Sequence, residues 1–338
     1  MTLPSFSQAR SGPSIPSEEH PHQATFMMWP SSRTVHTDPV FLRMLQGTIV
    51  EIANTIAAFE PVILLAAGSL HGSIQPMLRG DITLWDIPTE DLWARDAGPL
   101  FAVQDGRQVI SHIQFNGWGE KQINIHDSQV SARVADRLGL PLVPAGLKGE
   151  PGGVEWDGRA TLMAHRSSWL IDNRNPGLSE DQITQRLMTA FGAQRVIWSD
   201  GVWNQDITDY HIDSLARFTG PERVLINLPS NPDMTDPFHT AAQDTHDVLV
   251  DAGLDLDVIY EPNVRRVNSI DFVASYVNFY VCNGAVIAPH FGDSNMDAQA
   301  TSALRRHYPD REIVTLNTDP LGEVGGGIHC ATQQWPAT

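Results

Sequence analysis

The stretch SEDQITQRLMTAFGAQRVIWS, residues 179–199, holds the local pattern from which the fold can be predicted. Ser179 can cap a helix with its hydroxyl, and the two acids that follow suit the positive end of the helix dipole. We therefore predict a helix over residues 179–191, which Gly192 ends because glycine accepts the left-handed conformation there. The apolar run that begins at Arg195 then predicts a buried strand.

Units of this kind recur along the chain, each with an apolar strand, a polar Gly/Asp-rich stretch, another strand and an amphipathic helix. The other helical patterns cover residues 40–59, 128–138, 241–252 and 297–307. The first strands of the units begin, roughly 55 to 63 residues apart, near Ile82, Leu140, Arg195, Val258 and Ile313.

Five such units favour closed repetition within one α/β domain, because a single unit cannot bury its own apolar face. A plain α/β sandwich with coincidental spacing is the alternative on this pattern alone. In the closed arrangement the polar stretches converge on one central face, and we expect the chemistry to take place there.

The charge balance narrows the classes of partner. The 338 residues include 22 Lys+Arg and 40 Asp+Glu, which gives a formal charge of −18. Such a surface repels nucleic acid and anionic membranes, so we expect neither as a partner. A small cationic substrate would be attracted instead.

The Pro/Ser-rich start of the chain lacks the apolar segment of a signal peptide. We expect residues 1–15 to form a flexible N-terminal arm and residues 16–338 to form a single catalytic domain. No run approaches the ~18 consecutive apolar residues of a membrane-spanning helix. Two cysteines are too few for a disulfide framework and fit a reducing compartment, so we expect a cytoplasmic protein.

The two cysteines differ in their surroundings. Cys330 follows three glycines in EVGGGIHCATQQW, residues 323–335, and such a run is explained most easily by a strained turn or a close approach to a ligand. A thiol directly after this turn is a candidate nucleophile, although a buried structural cysteine is the general alternative. Cys282 lies in a strand-like run, and we interpret it as structural.

A catalytic thiol needs a partner that takes up and delivers protons. His211 and Asp213 lie two residues apart in DITDYHIDSLARF, residues 206–218, so they would share one face of a strand. A solvated loop is the alternative for this segment.

Two further acids lie in similar settings. Asp96 follows Arg95 in an otherwise apolar and aromatic segment, where a buried carboxylate is costly unless it is paired. Glu155 lies in the Gly-rich stretch GGVEWDG, residues 152–158. Each acid alone could be an ordinary turn or ion-pair residue. Together with His211 and Cys330, however, they occupy corresponding places in four of the five units.

This set of residues predicts a reaction class. Two carboxylates can bind a guanidinium in a bidentate manner and leave its central carbon open to a thiolate, while His protonates the departing amine and then activates water. The class is hydrolytic deimination through a covalent thiouronium intermediate. We predict no metal or nucleotide cofactor, because the sequence lacks zinc-ligand spacing and phosphate-binding loops.

At these residues the sequence resembles the family of agmatine deiminases and bacterial-type peptidylarginine deiminases, in the guanidine-modifying superfamily with the pentein fold. The resemblance covers nearly the whole chain from about residue 16. It rests on residues 25–30 (TFMMWP), 93–99 (WARDAGP), 115–121 (FNGWGEK), 152–158 (GGVEWDG), 173–176 (NRNP), 206–218, 275–289 (SYVNFYVCNGAVIAP) and 325–334 (GGGIHCATQQ).

The resemblance implies a five-bladed α/β propeller that uses no cofactor. It implies that Cys330 is the nucleophile, that His211 is the general acid and base, and that Asp96 and Asp213 grip the guanidinium. Glu155 would orient His211 or help to hold the substrate. We also expect four further substrate-binding residues, Trp93, Trp118, Gly326 and Gly327.

Three departures from the family pattern bear on the substrate. Residues 18–22 read EEHPH, where agmatine deiminases usually have Glu-Trp before Pro-His. Glu120, followed by Lys121, replaces the last glycine of a Phe-Asn-x-Trp-Gly-Gly motif, and Tyr210 precedes His211 where a small residue is common.

The expected substrate is agmatine, with N-carbamoylputrescine and ammonia as products. A peptidyl-arginine or another guanidine is the enzymatic alternative, and a non-catalytic pentein that binds a partner is an alternative of a different class. The oligomeric state is left open, with a homo-oligomer among the options.

Overall fold

The computed structural model describes residues 12–269 and 272–337, and the strands in this part form five small sheets. The strands are β1 (His22–Met28), β2 (Val62–Ala66), β3 (Ile82–Asp86), β4 (Leu100–Gln104), β5 (Arg107–Gln114), β6 (Leu142–Lys148), β7 (Val154–Trp156), β8 (Thr161–His165), β9 (Arg195–Ser199), β10 (Ala216–Phe218), β11 (Arg223–Leu228), β12 (Asp255–Tyr260), β13 (Tyr280–Cys282), β14 (Ala285–Pro289), β15 (Glu312–Leu316) and β16 (Gln333–Pro336).

The α-helices of the described residues include five of nine residues or more and several single turns. They are α1 (Pro39–Ile56), α2 (His71–Ile74), α3 (Ala94–Ala97), α4 (Gly117–Glu120), α5 (Val130–Leu138), α6 (Arg166–Trp169), α7 (Glu180–Phe191), α8 (Pro237–Asp251), α9 (Ser294–His307) and α10 (Asp319–Gly322). No helix in the described ranges is both long and apolar enough to cross a bilayer.

Four sheets repeat one design, in which an antiparallel pair of strands is followed by a parallel one, and the fifth sheet, β16-β1-β2-β3, adds a second parallel strand. In the sheet β4-β5-β6, for example, β4 and β5 are antiparallel and β6 lies parallel to β5 after a crossover through α5. A parallel partner requires such a crossover, whereas a short turn suffices for the antiparallel pair. The five predicted units are therefore present.

The sheet β16-β1-β2-β3 joins the two ends of the chain. β16 is antiparallel to β1, with Phe26 opposite Gln333. Because the first and last strands belong to the same sheet, the repetition is closed as predicted. The strands of this sheet pack in an apolar core, where all five residues of β2 are buried.

The predicted strand starts correspond to β3, β6, β9, β12 and β15. The first four are followed along the chain by a polar segment, further strands and a helix, as predicted. In the sheets, each of the five is the last strand and pairs with the strand that precedes it in the chain, so one sheet joins parts of two consecutive units.

The helix predicted over residues 179–191 is α7, and Ser179 caps it. The Ser179 hydroxyl accepts from the backbone N–H of Gln182, whose side chain accepts from the Ser179 N–H in return. Gly192 ends the helix in the left-handed conformation with φ of 77°. The fourth predicted helix begins four residues early, at Pro237, since Asp236 provides the cap and proline suits the first helical position.

The N-terminal boundary also differs from the prediction. Residues 1–11 of the predicted arm lie outside the described residues. Ser14 exchanges backbone hydrogen bonds with Val103, and Ile15 is buried and donates to the Phe191 carbonyl. These pairings place Ser14 and Ile15 in the folded part of the chain, before the predicted boundary at residue 16.

Five segments that leave the last strand of one sheet and enter the next sheet carry the candidate site residues other than Trp118 and Glu155. Their described residues are 87–99, 149–153, 200–215, 261–269 with 272–279, and 317–332. Since each occupies the same place in its unit, the closed repetition brings their side chains together.

We expect the substitution Ser179→Ala to lower the free energy of unfolding by about 1 kcal/mol, because the first turn of α7 loses its side-chain acceptor. Ser179→Asp keeps an acceptor and should leave stability nearly unchanged. Urea unfolding of the three proteins measures both values. Equal stability of the Ala and Asp variants would show that the cap does not matter.

Candidate active site

A small cavity of about 20 Å³ lies where the five segments meet, and it has space for about one water molecule. We call it the inner cavity. Its lining residues are Trp93, Asp96, Trp118, Ile207, Thr208, His211, Asp213, Ser214, Val324, Gly325 and Cys330. The structure thus brings together the predicted thiol, imidazole, two carboxylates and two indoles.

Cys330 is buried beside two polar side chains. Its Sγ lies 3.4 Å from Asp213 Oδ2, and Asn278 Nδ2 donates to it at 3.2 Å. Burial raises the pKa of the thiol well above its usual value, and the charges of Asp213 and Asp96 raise it further. In these surroundings the thiol is therefore protonated at neutral pH.

The glycines before Cys330 permit close packing. A Cβ on Gly326 would lie 2.4 Å from the Trp93 ring, and one on Gly327 would lie 2.5 Å from Asn278 Oδ1. Gly325, with φ of 89°, lines the inner cavity. Neither Gly326 nor Gly327 lines the inner cavity, and their role in substrate binding stays a prediction.

Asn278 is a site residue that sequence reasoning missed. Its Oδ1 accepts from the backbone N–H of His329 at 3.0 Å and of Cys330 at 3.4 Å, while its Nδ2 reaches the thiol. The only sequence signal was its place in the fourth of the five polar segments, 52 residues from Cys330.

Asp96 lies in the one-turn helix α3, and protein groups occupy both its carboxylate oxygens. Trp118 Nε1 donates to Oδ2 at 3.0 Å, and the Gly152 N–H donates to Oδ1 at 3.3 Å. Burial raises the pKa of Asp96 to about 6; His211 lowers it, whereas Glu150 and Asp213 raise it. Asp96 is therefore mainly ionised at pH 7.

A left-handed turn places the Trp118 indole against Asp96. All four residues of α4 have positive φ, including Trp118 at 55° and Glu120 at 65°. Positive φ costs a non-glycine residue on the order of 1 kcal/mol. Asn116 holds the turn, since its side chain accepts from the Gly119 N–H at 2.9 Å. Glu120 therefore occupies a position whose backbone suits the glycine of the family motif.

His211 contacts two carboxylates. Its Nε2 lies 3.1 Å from Glu150 Oε2, and its Nδ1 lies 3.8 Å from Asp96 Oδ1. Burial alone would lower the pKa of His211, but Asp96, Glu150 and Asp213 outweigh this effect and raise it to about 9. The imidazole is therefore protonated at neutral pH and can donate a proton.

Glu150, which sequence reasoning missed, occupies the place predicted for Glu155. The turn Pro151–Gly153 separates the two acids, and Gly152 fits within it because a Cβ there would lie 2.5 Å from Asp96 Oδ1. Glu150 enters this turn facing His211. Glu155 follows it on β7, where it forms a 2.7 Å ion pair with Arg217, so its predicted contact with His211 is wrong.

The segment before His211 is held in a strained conformation. Asp209 and Tyr210 have φ of 59° and 66°. The Asp209 carboxylate binds Lys121 Nζ at 2.7 Å and Arg174 Nη1 at 2.6 Å, and Arg174 Nε also binds Glu150 at 2.9 Å. Arg174 thereby fixes both the segment that carries His211 and the carboxylate that faces it.

His211 and Asp213 do not lie on a strand, and that prediction is wrong. A 3₁₀ turn covers Ile212–Ser214, and β10 begins at Ala216. Both side chains nevertheless line the inner cavity, because the 3₁₀ turn directs them there. The alternation of side chains along a strand, on which the prediction was based, does not apply to such a turn.

Asp213 has one free carboxylate oxygen. His329 Nδ1 lies 2.8 Å from Oδ2, whereas Oδ1 is buried without a hydrogen-bond partner. Burial would raise the pKa of Asp213, but the hydrogen bond and the charge of His329 outweigh it and lower the pKa. An ionised, buried and unpaired oxygen calls for a donor from a ligand.

A larger cavity of about 1090 Å³ shares Trp93, His211 and Gly325 with the inner cavity, and we call it the outer cavity. Tyr210 lines it too, with its ring stacked on His165. Its lining includes four partly exposed acids, Asp206, Asp236, Glu261 and Glu323.

The described residues contain no group of three or more His, Cys, Asp and Glu side chains that could hold a metal ion. Cys282 lies on β13, and its Sγ is 3.6 Å from the Ala285 carbonyl oxygen. It is buried away from the inner cavity, as its strand-like surroundings predicted.

Known proteins share this sequence pattern. Residues 14–336 match the sequence profile of the Porphyromonas-type peptidyl-arginine deiminase family. A Streptomyces coelicolor protein, provisionally named an agmatine deiminase, is 32% identical over 339 residues, which cover 96% of this chain and 99% of that protein.

Two solved structures share the fold over nearly the whole chain. The agmatine deiminase of Enterococcus faecalis has a TM-score of 0.86 at 25% identity and covers 99% of both chains. A provisionally named arginine deiminase of Porphyromonas gingivalis has a TM-score of 0.83 at 29% identity, with 96% of this chain and 98% of that chain covered.

The fold is therefore the five-bladed α/β propeller of the pentein class, as predicted. The chain belongs to the Porphyromonas-type peptidyl-arginine deiminase family. It is a deiminase, a hydrolase that acts on a guanidino C–N bond.

We expect the substitutions Glu150→Gln and Asp96→Asn each to lower the pKa of His211 by about one unit or more, because each removes a negative charge beside the imidazolium. NMR titration of labelled histidine measures the shift. The exposed Asp251→Asn is the control and should leave the pKa unchanged. An unshifted value in both site variants would contradict the electrostatic account of His211.

Proposed function

We propose that the protein hydrolyses agmatine to N-carbamoylputrescine and ammonia, with Cys330 as the nucleophile. The observation that carries the proposal is the pair of buried carboxylates, Asp96 and Asp213, that line one cavity with the thiol. One oxygen of Asp213 lacks a protein donor there. A planar cation with several N–H groups supplies the missing donor, and the guanidinium has this geometry.

The same cation would activate the thiol. Burial and the negative charges of Asp213 and Asp96 raise the pKa of Cys330. A guanidinium bound between these carboxylates offsets that charge and favours ionisation of the thiol, which releases its proton to solvent and becomes the thiolate. Ionisation of Cys330 would therefore follow substrate binding.

In the first half of the reaction, Cys330 Sγ forms a bond to the central guanidinium carbon. The protonated His211 gives its proton to one terminal nitrogen, the C–N bond breaks, and ammonia leaves. The product of this half is a thiouronium bound to Cys330. His211 is then neutral.

In the second half, the neutral His211 takes a proton from a water molecule that attacks the same carbon. The C–S bond breaks, the thiolate leaves, and it takes up the proton that the new ureido group loses, which restores the thiol of Cys330. The ureido product is uncharged, so it binds the two carboxylates less strongly than the guanidinium did. This loss of charge favours product release.

The outer cavity supports a substrate with a second positive charge. Its four partly exposed acids, Asp206, Asp236, Glu261 and Glu323, favour the ammonium end of agmatine over the α-carboxylate of free arginine. Peptidyl-arginine is a second candidate, because the family is described by that substrate and the outer cavity has a volume of about 1090 Å³. Arg265, a cation, also lines this cavity.

Incubation of the protein with agmatine, free arginine and an arginine peptide, each at the same concentration, tests the substrate. We expect ureido product from agmatine with a kcat/KM at least about tenfold above the other two, the size of one favourable charged contact. Formation of product from the peptide alone would refute agmatine and support the second candidate.

The substitution Cys330→Ala should abolish turnover of every guanidine, because no other thiol lines the inner cavity. Cys282→Ala is the matched control and should keep the wild-type rate. Turnover by Cys330→Ala would refute the thiol mechanism, and an inactive wild-type protein that binds guanidines would favour a non-catalytic role.

The pH profile of kcat/KM should be bell-shaped, with limbs near pH 6 and 9. Asp96 must be ionised to bind the cation and His211 must be protonated to expel ammonia, so activity falls below the first pKa and above the second. Steady-state kinetics with agmatine from pH 5 to 10 measure both limbs. A basic limb near the ordinary histidine pKa, about 6.5, would contradict the role of His211.

A further inference from the structure

Behind Asp213 lies a charged group that the proposed reaction does not use. We call Glu18, Arg95, Glu155, Arg217 and His329 the rear cluster; all five line a separate cavity of about 170 Å³. The inner cavity contains none of them. The contact between the two groups is the hydrogen bond from His329 to Asp213.

His329 bridges two carboxylates through both ring nitrogens. Its Nδ1 lies 2.8 Å from Asp213 Oδ2, and its Nε2 lies 3.0 Å from Glu18 Oε2. Ionised carboxylates only accept hydrogen bonds, so both nitrogens must donate, and a histidine that donates twice is the imidazolium. The ring carries a positive charge in this arrangement.

Glu18 is held on its other sides by two arginines and one backbone group. Arg95 Nη2 lies 2.9 Å from Oε2, Arg217 Nη2 lies 3.1 Å from Oε1, and the Val281 N–H donates to Oε1 at 2.9 Å. Burial would raise the pKa of Glu18, but Arg217, His329 and Arg95 outweigh it and hold the pKa well below its usual value. Glu18 therefore stays ionised.

We propose that Glu18 and His329 are positioning residues that fix Asp213, so that one of its carboxylate oxygens stays free for the guanidinium. The proposal rests on the proposed function, in which Asp213 grips the substrate. Neither residue lines the inner cavity, so their effect acts through Asp213.

The geometry gives the reason for this arrangement. Asp213 Oδ2 already accepts a hydrogen bond from His329 Nδ1 and lies near the thiol, whereas Oδ1 has no hydrogen-bond partner. Without His329 the carboxylate could rotate, and its pKa would rise because the main stabilising partner is lost. Both changes would weaken the grip on a cation while leaving the nucleophile in place.

Two isosteric substitutions separate the two hydrogen bonds of His329. Asn at this position keeps a donor near the place of Nδ1, towards Asp213, and Gln keeps a donor near the place of Nε2, towards Glu18. Both remove the positive charge. They therefore differ in which carboxylate retains a partner.

The experiment is calorimetric titration with agmatine in a Cys330→Ala background, where binding is measured without turnover. We expect the added His329→Gln substitution to raise the Kd at least about tenfold, the size of a lost charged hydrogen bond. The Kd of the His329→Asn variant should be at least about threefold lower than that of the His329→Gln variant. Glu18→Gln, which keeps its shape, should also raise the Kd, and it serves as the second variant if a His329 variant fails to fold.

A Kd for His329→Gln within about twofold of the Cys330→Ala parent would overturn the inference, as would equal losses in the Gln and Asn variants. If the parent itself does not bind agmatine, the proposed function fails first and the inference falls with it. In the protein with Cys330 intact, His329→Gln should also make the acidic limb of kcat/KM steeper, because the pKa of Asp213 rises and Asp213 then titrates there together with Asp96. A merely structural loss would leave the slope of that limb unchanged.

Discussion

Asp96 and Asp213 are buried carboxylates that line one cavity together with the Cys330 thiol, and the protein balances their negative charge only in part. The rest of the site depends on this constraint. Burial of an unpaired charge is costly. The protein offsets the cost with two histidines, since His211 lies beside Asp96 in the inner cavity and His329 lies behind Asp213, outside it. What remains unpaired is Asp213 Oδ1, and a cationic substrate completes the balance. The same negative charge keeps the thiol protonated until that cation arrives.

Much of the fold could be predicted from the sequence because helix caps and apolar runs act locally. Ser179 and Gly192 bound α7 as their chemistry indicates, and the five predicted strand starts have the correct period. The place of those strands within the sheets could not be predicted, because it depends on which neighbour each strand pairs with. The start of α8 was missed because Asp236 and Pro237 lie in a stretch without apolar periodicity.

In the candidate site, too, residues could be predicted from their own sequence segments, whereas contacts between distant parts of the chain could not. Asp96, His211, Asp213, Cys330, Trp93 and Trp118 line one cavity, as their positions in the repeated units and the family resemblance predicted. The acid that contacts His211 is Glu150 and not the predicted Glu155, because Glu150 lies before the turn Pro151–Gly153 and Glu155 lies after it. His329 was one of 13 histidines, and its role depends on Glu18, 311 residues away, so no local pattern could identify it.

The most direct test of the account is a crystal structure of the Cys330→Ala protein with agmatine bound. We expect the guanidinium nitrogens to contact the carboxylates of Asp96 and Asp213, with Asp213 Oδ1 now paired, and the central carbon to face the side chain of residue 330. The ammonium end should extend into the outer cavity. A guanidinium bound elsewhere, with Asp213 Oδ1 still unpaired, would contradict the central claim.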